Sequence, residues 1–383
     1  MRRQAIRAVL AAIAVSAIGL PSICPARAAP RPGGPTQIRG DQWHLAYLKV
    51  AEAHRTSQGE GIAVAVPDTG VDPHPDLVNN LLIGTDIVSG GSGDGHRDRN
   101  SHGTSMAGLI AAHGRGEHVG ALGIAPRAKI LPIMSSLADN RGEADDLAAG
   151  IEYATSHGAD VISISSAGGS SVRLIQAVDA ALAANIIVVA GVGNRPEASS
   201  VGYPASQEGV IAVGGIDRAG NHAAVSVVGP KIDVVAPAVD IYSTSYGGRY
   251  SKGSGTSGAT AIVAGAAALV RSKYPYLSAH EVSHRLTATA IDKGLPGRDD
   301  EYGYGVIDLV AALTADVPPL GFESAAPSAS TTTTAAEPAS DGGDGGATAR
   351  GLATLGVLVV AGGGYLLWRR RQRADDPPPR ISR

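Results

Sequence analysis

Short apolar runs without polar alternation recur along the middle of the chain: GIAVAV (61–66), KILPIM (129–134), ADVISIS (159–165), IIVVAG (186–191), GVIAVGG (209–215) and IDVVAP (232–237). Runs of this length and kind predict strands buried on both faces. Segments with helical spacing lie between them, at 102–112 (HGTSMAGLIAA), 147–158 (LAAGIEYATSHG) and 171–185 (SVRLIQAVDAALAAN). A further apolar run, IVAGAAALV (262–270), follows a glycine-rich start. Strands alternating with helices predict an α/β fold, a mostly parallel central sheet with helices on both faces. In such sheets functional groups gather beyond the C-terminal ends of the strands.

The two ends of the chain follow other patterns. MRRQAIR is basic, AVLAAIAVSAIGL is apolar, and Ala26-Arg27-Ala28 fits a small-x-small cleavage site, so residues 1–28 read as a secretory signal peptide. Residues 29–60 read as an N-terminal extension, and 61–315 as one globular domain. From 316 to 350 the chain turns to Ala, Ser, Thr, Pro and Gly, with little to bury, and reads as an extended linker. GLATLGVLVVAGGGYLLW (351–368) carries no charge, and at 1.5 Å per residue it spans about 27 Å, enough for a bilayer core. The RRRQR that follows opens a basic tail, 369–383, expected to stay cytoplasmic. Signal peptide and anchor thus agree on one topology: a single-pass protein of the cell membrane with its folded domain outside.

Composition narrows the function classes. A formal net charge of −3 over 383 residues gives no basic field for nucleic acid. The one cysteine, Cys24, falls within the signal peptide, so the mature chain has none with which to form a disulfide. No cofactor is required. Asp94, Asp98 and Asn100 make an acidic loop with the chemistry of a structural calcium site, but a solvated loop is the simpler expectation and no metal is assigned. His74, His96, His113 and His118 stand in polar or glycine-rich stretches and read as solvated.

Three fragments carry the chemistry. Asp68, in AVPDTGVD, falls just past the first apolar run; His102, in NSHGTSMAG, opens a helix; Ser257, in GSGTSGATA, opens another. Each has an ordinary structural reading: a turn residue for Asp68, a core histidine for His102, a helix cap for Ser257. Together, at element ends of one α/β sheet, they have the types that nucleophilic catalysis needs. A hydroxyl is a weak nucleophile unless an imidazole takes its proton, and a carboxylate orients the imidazole and stabilises its cation.

These motifs, in the order Asp, His, Ser, resemble the signatures of the subtilisin-like serine peptidases, the subtilases, over nearly the whole globular segment. The resemblance implies a Ser-His-Asp endopeptidase acting on protein or peptide substrates through an acyl-enzyme. It also implies that Asn194, at the end of VVAGVGN, supplies an oxyanion-hole amide, and that Ser165, Ser166, Ala167, Gly168 and Gly169 form the substrate-binding strand and pocket wall. APAVDIYST (236–244) and YGYGVIDL (302–309) resemble two further family segments. The chain departs from the pattern in three places. Pro67 precedes the aspartate where an aliphatic residue is usual, and GATA follows the serine where the family reads MAAP or MATP. Gly258 thus replaces Met, weakening the helix start, and Ala261 replaces Pro.

The layout of signal peptide, short extension, peptidase domain, linker and membrane helix resembles the mycosins, membrane-anchored subtilases that accompany type VII secretion systems in actinobacteria. That likeness implies secretion components as partners. It also leaves a second role open, a subunit that stabilises a secretion complex with weak or dispensable proteolysis. A surface adhesion module is disfavoured, since adhesion has no need of three catalytic motifs in order.

Overall fold

The computed structural model describes residues 33–88, 92–137 and 143–320. The signal peptide, most of the linker and the predicted membrane span lie outside these residues. Among the described residues no helix is long and apolar enough to cross a membrane.

Three short helices come first, α1 (Ile38–Asp41), α2 (Trp43–Tyr47) and α3 (Val50–Ala53). The chain continues through β1 (Ala63–Asp68), β2 (Thr85–Asp86), α4 (His102–Ala111), β3 (Lys129–Met134), α5 (Ala144–Ser156) and β4 (Val161–Ile164). Then follow α6 (Val172–Ala183), β5 (Ile187–Gly191), β6 (Ile211–Ile216), β7 (Val234–Pro237), β8 (Ile241–Ser245) and β9 (Arg249–Gly253). Helices α7 (Thr256–Lys273), α8 (Ala279–Ala288) and α9 (Leu309–Thr314) close the described fold.

Seven strands form a parallel sheet in the order β2-β3-β1-β4-β5-β6-β7. The expected α/β architecture is therefore present. The apolar runs show no polar alternation because each strand feeds two cores. In β5, Ile187 and Val189 join the core under α4 and α7, while Val188 and Ala190 face the core under α5 and α6. The chain enters at β1, moves out to β3 on one side, and returns to β4 on the other. That reversal is a topological switch point, where parallel sheets open a crevice at the strands' C-terminal ends. Pro67 is accommodated there: β1 stops pairing with β4 at Ala65↔Ile162 but continues beside β3 to Asp68↔Met134.

Helix α7 runs across β4, β5, β6 and β7 and against α4. Its Ala- and Gly-rich sequence lets backbones approach closely, and nearly every residue from Thr256 to Arg271 is buried. Gly265 marks the tightest contact, since a β-carbon there would stand 2.7 Å from Cβ of Ile124. Gly265→Ala is expected to cost about 1–3 kcal/mol through overpacking, read as a lower midpoint in thermal or denaturant unfolding.

Two elements depart from the sequence pattern. The antiparallel hairpin β8–β9 is built from polar residues, IYSTS and RYSKG, and carries no apolar run. Helix α8 begins with a full capping box, Ser278 and Glu281 satisfying each other's backbone amides. The segment before β1 is bound to the domain. Trp43 Nε1 donates toward the carbonyls of Val239 and Asp240, both at 3.2 Å. Beside it His44 is fully buried, and burial pushes its pKa down to about 3, so its ring stays neutral.

Candidate functional site

Asp68, His102 and Ser257 converge at the switch point. Asp68 ends β1, and Gly70 allows the sharp turn that follows: its φ is +91°, and a side-chain carbon there would strike the carbonyl of Arg97. His102 opens α4, and its Nδ1 lies 2.8 Å and 2.9 Å from the two carboxylate oxygens of Asp68. An ionised carboxylate can only accept, so Nδ1 carries the hydrogen and Nε2 is left as the acceptor. Burial of the ring works against its charged form. The charge and hydrogen bond of Asp68, with Asp98 behind it, outweigh burial and hold the His102 pKa above its ordinary 6.5.

Ser257 is the second residue of α7, where N–H groups point outward and favour negative charge. Its Oγ donates to the carbonyl of Ser165 at 2.9 Å rather than to His102, and Ser165 Oγ donates to the Ser257 carbonyl at 3.3 Å. The serine is thereby tied to the segment that follows β4. Residues 165–169 line one cleft of about 310 Å³ together with Asp68 and His102. Gly168 and Tyr203 exchange backbone bonds of 3.1 Å and 3.2 Å, while Ser166, Ala167, Gly168 and Gly169 remain exposed. Leu147, Leu174 and Tyr203 also line this cleft. Leu147 and Leu174 escaped the sequence reading because they lie in segments with helical spacing, and Tyr203 because it lies outside every run and motif.

Asn194 follows β5. Its Oδ1 accepts from Thr256 N at 2.9 Å and from Thr256 Oγ1 at 3.2 Å, so the carbonyl half of the amide is fixed and the NH₂ half is left to donate. Gly255, the cap of α7, keeps that half uncrowded: a β-carbon there would stand 3.1 Å from Asn194 Nδ2. Asn194→Ala is expected to lower kcat by about 10²–10³, with KM little changed. That size of effect belongs to the corresponding donor in a subtilisin, and steady-state kinetics on a peptide substrate measure it.

Two sequence expectations need correction. Asp98 is not part of a solvated loop, being only 4% exposed. Its Oδ1 accepts from Thr69 Oγ1 and the amides of Asn100 and Ser101, and its Oδ2 from the amide and hydroxyl of Thr104. The carboxylate thus anchors the start of α4, against the positive end of its dipole. Among the described residues no group of three or more His, Cys, Asp or Glu side chains could hold a metal ion. His74 is likewise fully buried, its Nδ1 accepting from the Asp76 amide at 3.0 Å. His96 and His113 are half-buried, and His118 is exposed.

A parallel sheet bearing a carboxylate–imidazole pair beside a helix-start serine is the arrangement of a serine hydrolase. Residues 59–305 match the subtilase family, and the chain belongs to that family of serine peptidases. Subtilisin DY of Bacillus licheniformis is 42% identical over 260 residues, 67% of this chain and 92% of the relative. Subtilisin BL of Lederbergia lenta is 39% identical over 272 residues, 70% of this chain and 97% of that one. Among solved structures, MycP1 with its N-terminal propeptide removed aligns with a TM-score of 0.65 at 30% identity, covering 72% of this chain and 98% of that one. MycP1 from Mycobacterium smegmatis aligns with a TM-score of 0.65 at 28% identity, covering 76% and 87%. MycP3, a protease from the type VII (ESX-3) secretion system, aligns with a TM-score of 0.62 at 32% identity, covering 72% and 88%. The chain is therefore a subtilisin-like serine peptidase related to the mycosins.

Proposed function

We propose that this chain is a membrane-anchored, extracytoplasmic endopeptidase that cleaves peptide bonds through Ser257, His102 and Asp68, in association with type VII secretion. The observation that carries the catalytic reading is the Asp68–His102 hydrogen bond beside Ser257 at the switch point.

Catalysis begins with a rotation of the Ser257 side chain. Breaking its bond to the Ser165 carbonyl costs about 0.5–1.5 kcal/mol and brings Oγ toward His102 Nε2. Oγ attacks the scissile carbonyl while Nε2 takes its proton, and Asp68 stabilises the imidazolium that forms. The carbonyl oxygen becomes an oxyanion held by Asn194 Nδ2 and the backbone N–H of Ser257. His102 then returns the proton to the departing amine, leaving an acyl-enzyme. Water, deprotonated by the same imidazole, releases the acyl group and restores the serine. On the acyl side, the exposed 166–169 segment offers backbone groups to an extended peptide.

The cellular setting rests on other observations. The likeness to MycP1 and MycP3 supports the secretion context. The basic-then-apolar start and the uncharged 351–368 stretch before RRRQR support export and anchoring. The experiment is labelling of the full chain in its native membrane with a fluorophosphonate probe. The label is expected on Ser257 in the membrane fraction, and a chain ended at Arg350 is expected in the soluble fraction. Label on another residue would overturn the triad, and a truncated chain that still sediments with membranes would overturn the anchor.

A further inference from the structure

A second cavity, of about 340 Å³, opens beside the same serine. His102 lines both cavities, whereas residues 165–169 line only the first and Asn194, Gly255 and Gly258 line only the second. The imidazole therefore stands between them. This placement has a chemical meaning that rests on the triad reading above. The acyl half of a substrate lies along 165–169, and the leaving amine must depart past the group that protonates it, His102. The residue after the scissile bond then lies against the second cavity.

The floor of that cavity is apolar, formed by Met106, Leu109, Ala238 and Ile241, with Gly258 at its edge. Gly258 is the residue immediately after the serine and lies inside α7 with ordinary helical geometry, so backbone conformation does not demand a glycine. Packing does not demand one either. A β-carbon would meet Leu109 Cδ1 at 3.7 Å and Ile241 at 3.8 Å, ordinary contact distances. Side chains on a helix lean toward its N-terminus, which here is the end that holds Ser257. A methionine at 258, the family's usual residue, would reach from that position into the cavity. Its absence leaves room for another side chain, and the only cation at the rim among the described residues, Lys252, is already paired with Asp240 at 2.9 Å.

We propose that this cavity is a leaving-group specificity pocket, opened by Gly258, which selects a large apolar side chain (Leu, Met or Phe) on the residue immediately after the scissile bond. The fit comes from size and from the apolar lining that Met106, Leu109, Ala238 and Ile241 supply.

The test uses quenched-fluorescence peptides built on a cleavage site mapped in casein, identical except for Gly, Leu or Glu after the scissile bond. The native enzyme is expected to favour Leu over Gly by about tenfold or more in kcat/KM. In Gly258→Met that ratio is expected to fall to about one, because the new side chain fills the space. The ratio does not depend on how much of a variant is correctly folded. A native ratio near one, a ratio unchanged in Gly258→Met, or a preference for Glu would overturn the pocket. Fluorophosphonate labelling in the same samples separates the two levels: label on Ser257 with no Leu preference removes the pocket and keeps the triad.

Discussion

Ser257→Ala is expected to abolish covalent labelling by a fluorophosphonate and to remove essentially all peptidase activity while leaving the fold intact. Ser257 Oγ has one partner, the Ser165 carbonyl; Ser257 is half-buried and Ser165 is buried beside it. Losing the hydroxyl removes one ordinary hydrogen bond, so stability should change by only about 0.5–1.5 kcal/mol. The kinetic loss should approach the value known for a subtilisin, about 2 × 10⁶ in kcat. Single-turnover hydrolysis and a thermal melt on the same preparation make the comparison. Labelling that survives the substitution would exclude Ser257 as nucleophile. The variant also separates proteolysis from any role in assembling a secretion complex, since a structural subunit would still support secretion.

Asp68→Asn is the second large effect, and it changes the shape of the pH profile as well as the rate. The aspartate fixes the Nδ1–H tautomer and, through its charge, raises the His102 pKa against the opposing effect of burial. An asparagine amide can present N–H to Nδ1 and stabilise the wrong tautomer, and in a subtilisin the loss of this carboxylate costs about 3 × 10⁴ in kcat. The sign of the pH effect follows from the base role. His102 must be neutral to accept the serine proton, so activity in the native enzyme should fall as pH drops through a pKa above 6.5. In Asp68→Asn the acid limb of kcat/KM should move to lower pH. A limb that stays in place would mean that another group titrates there.

The sheet was legible because its strands are unusually uniform. β1, β3, β4, β5, β6 and β7 are apolar runs that are almost wholly buried. The candidate site was legible because DTG, HGT and GTS stand at element ends in a fixed order, and the fold brings Asp68, His102 and Ser257 to one cleft. What escaped the sequence was polar chemistry satisfied inside the fold. Ser243, Thr244 and Ser245 are buried in β8, a segment with no apolar run to mark it as part of the core. Their hydroxyls reach Ser105 O, Thr104 O and Ser101 Oγ at the start of α4, contacts between residues more than a hundred positions apart. Asp98 was misread for the same reason, since an acidic residue beside Asp94 looks solvated until Thr69, Ser101 and Thr104 converge on it. Gly258 shows the opposite limit: the sequence marks it as a weaker helix start, and only the packing of Leu109 and Ile241 turns it into an opening.

Helix α7 also limits how such a peptidase can be controlled. Its first residues include Ser257, the proposed nucleophile, and the rest of its length is locked between four strands and α4. Withdrawing Ser257 from the cleft would mean opening the core, at a cost comparable to the whole stability of a domain, about 5–15 kcal/mol. Switching by displacement of the serine is thereby closed to this molecule. An inhibitor or a partner that covers the exposed 166–169 edge disturbs no core packing at all, so control falls to whatever occupies the cleft.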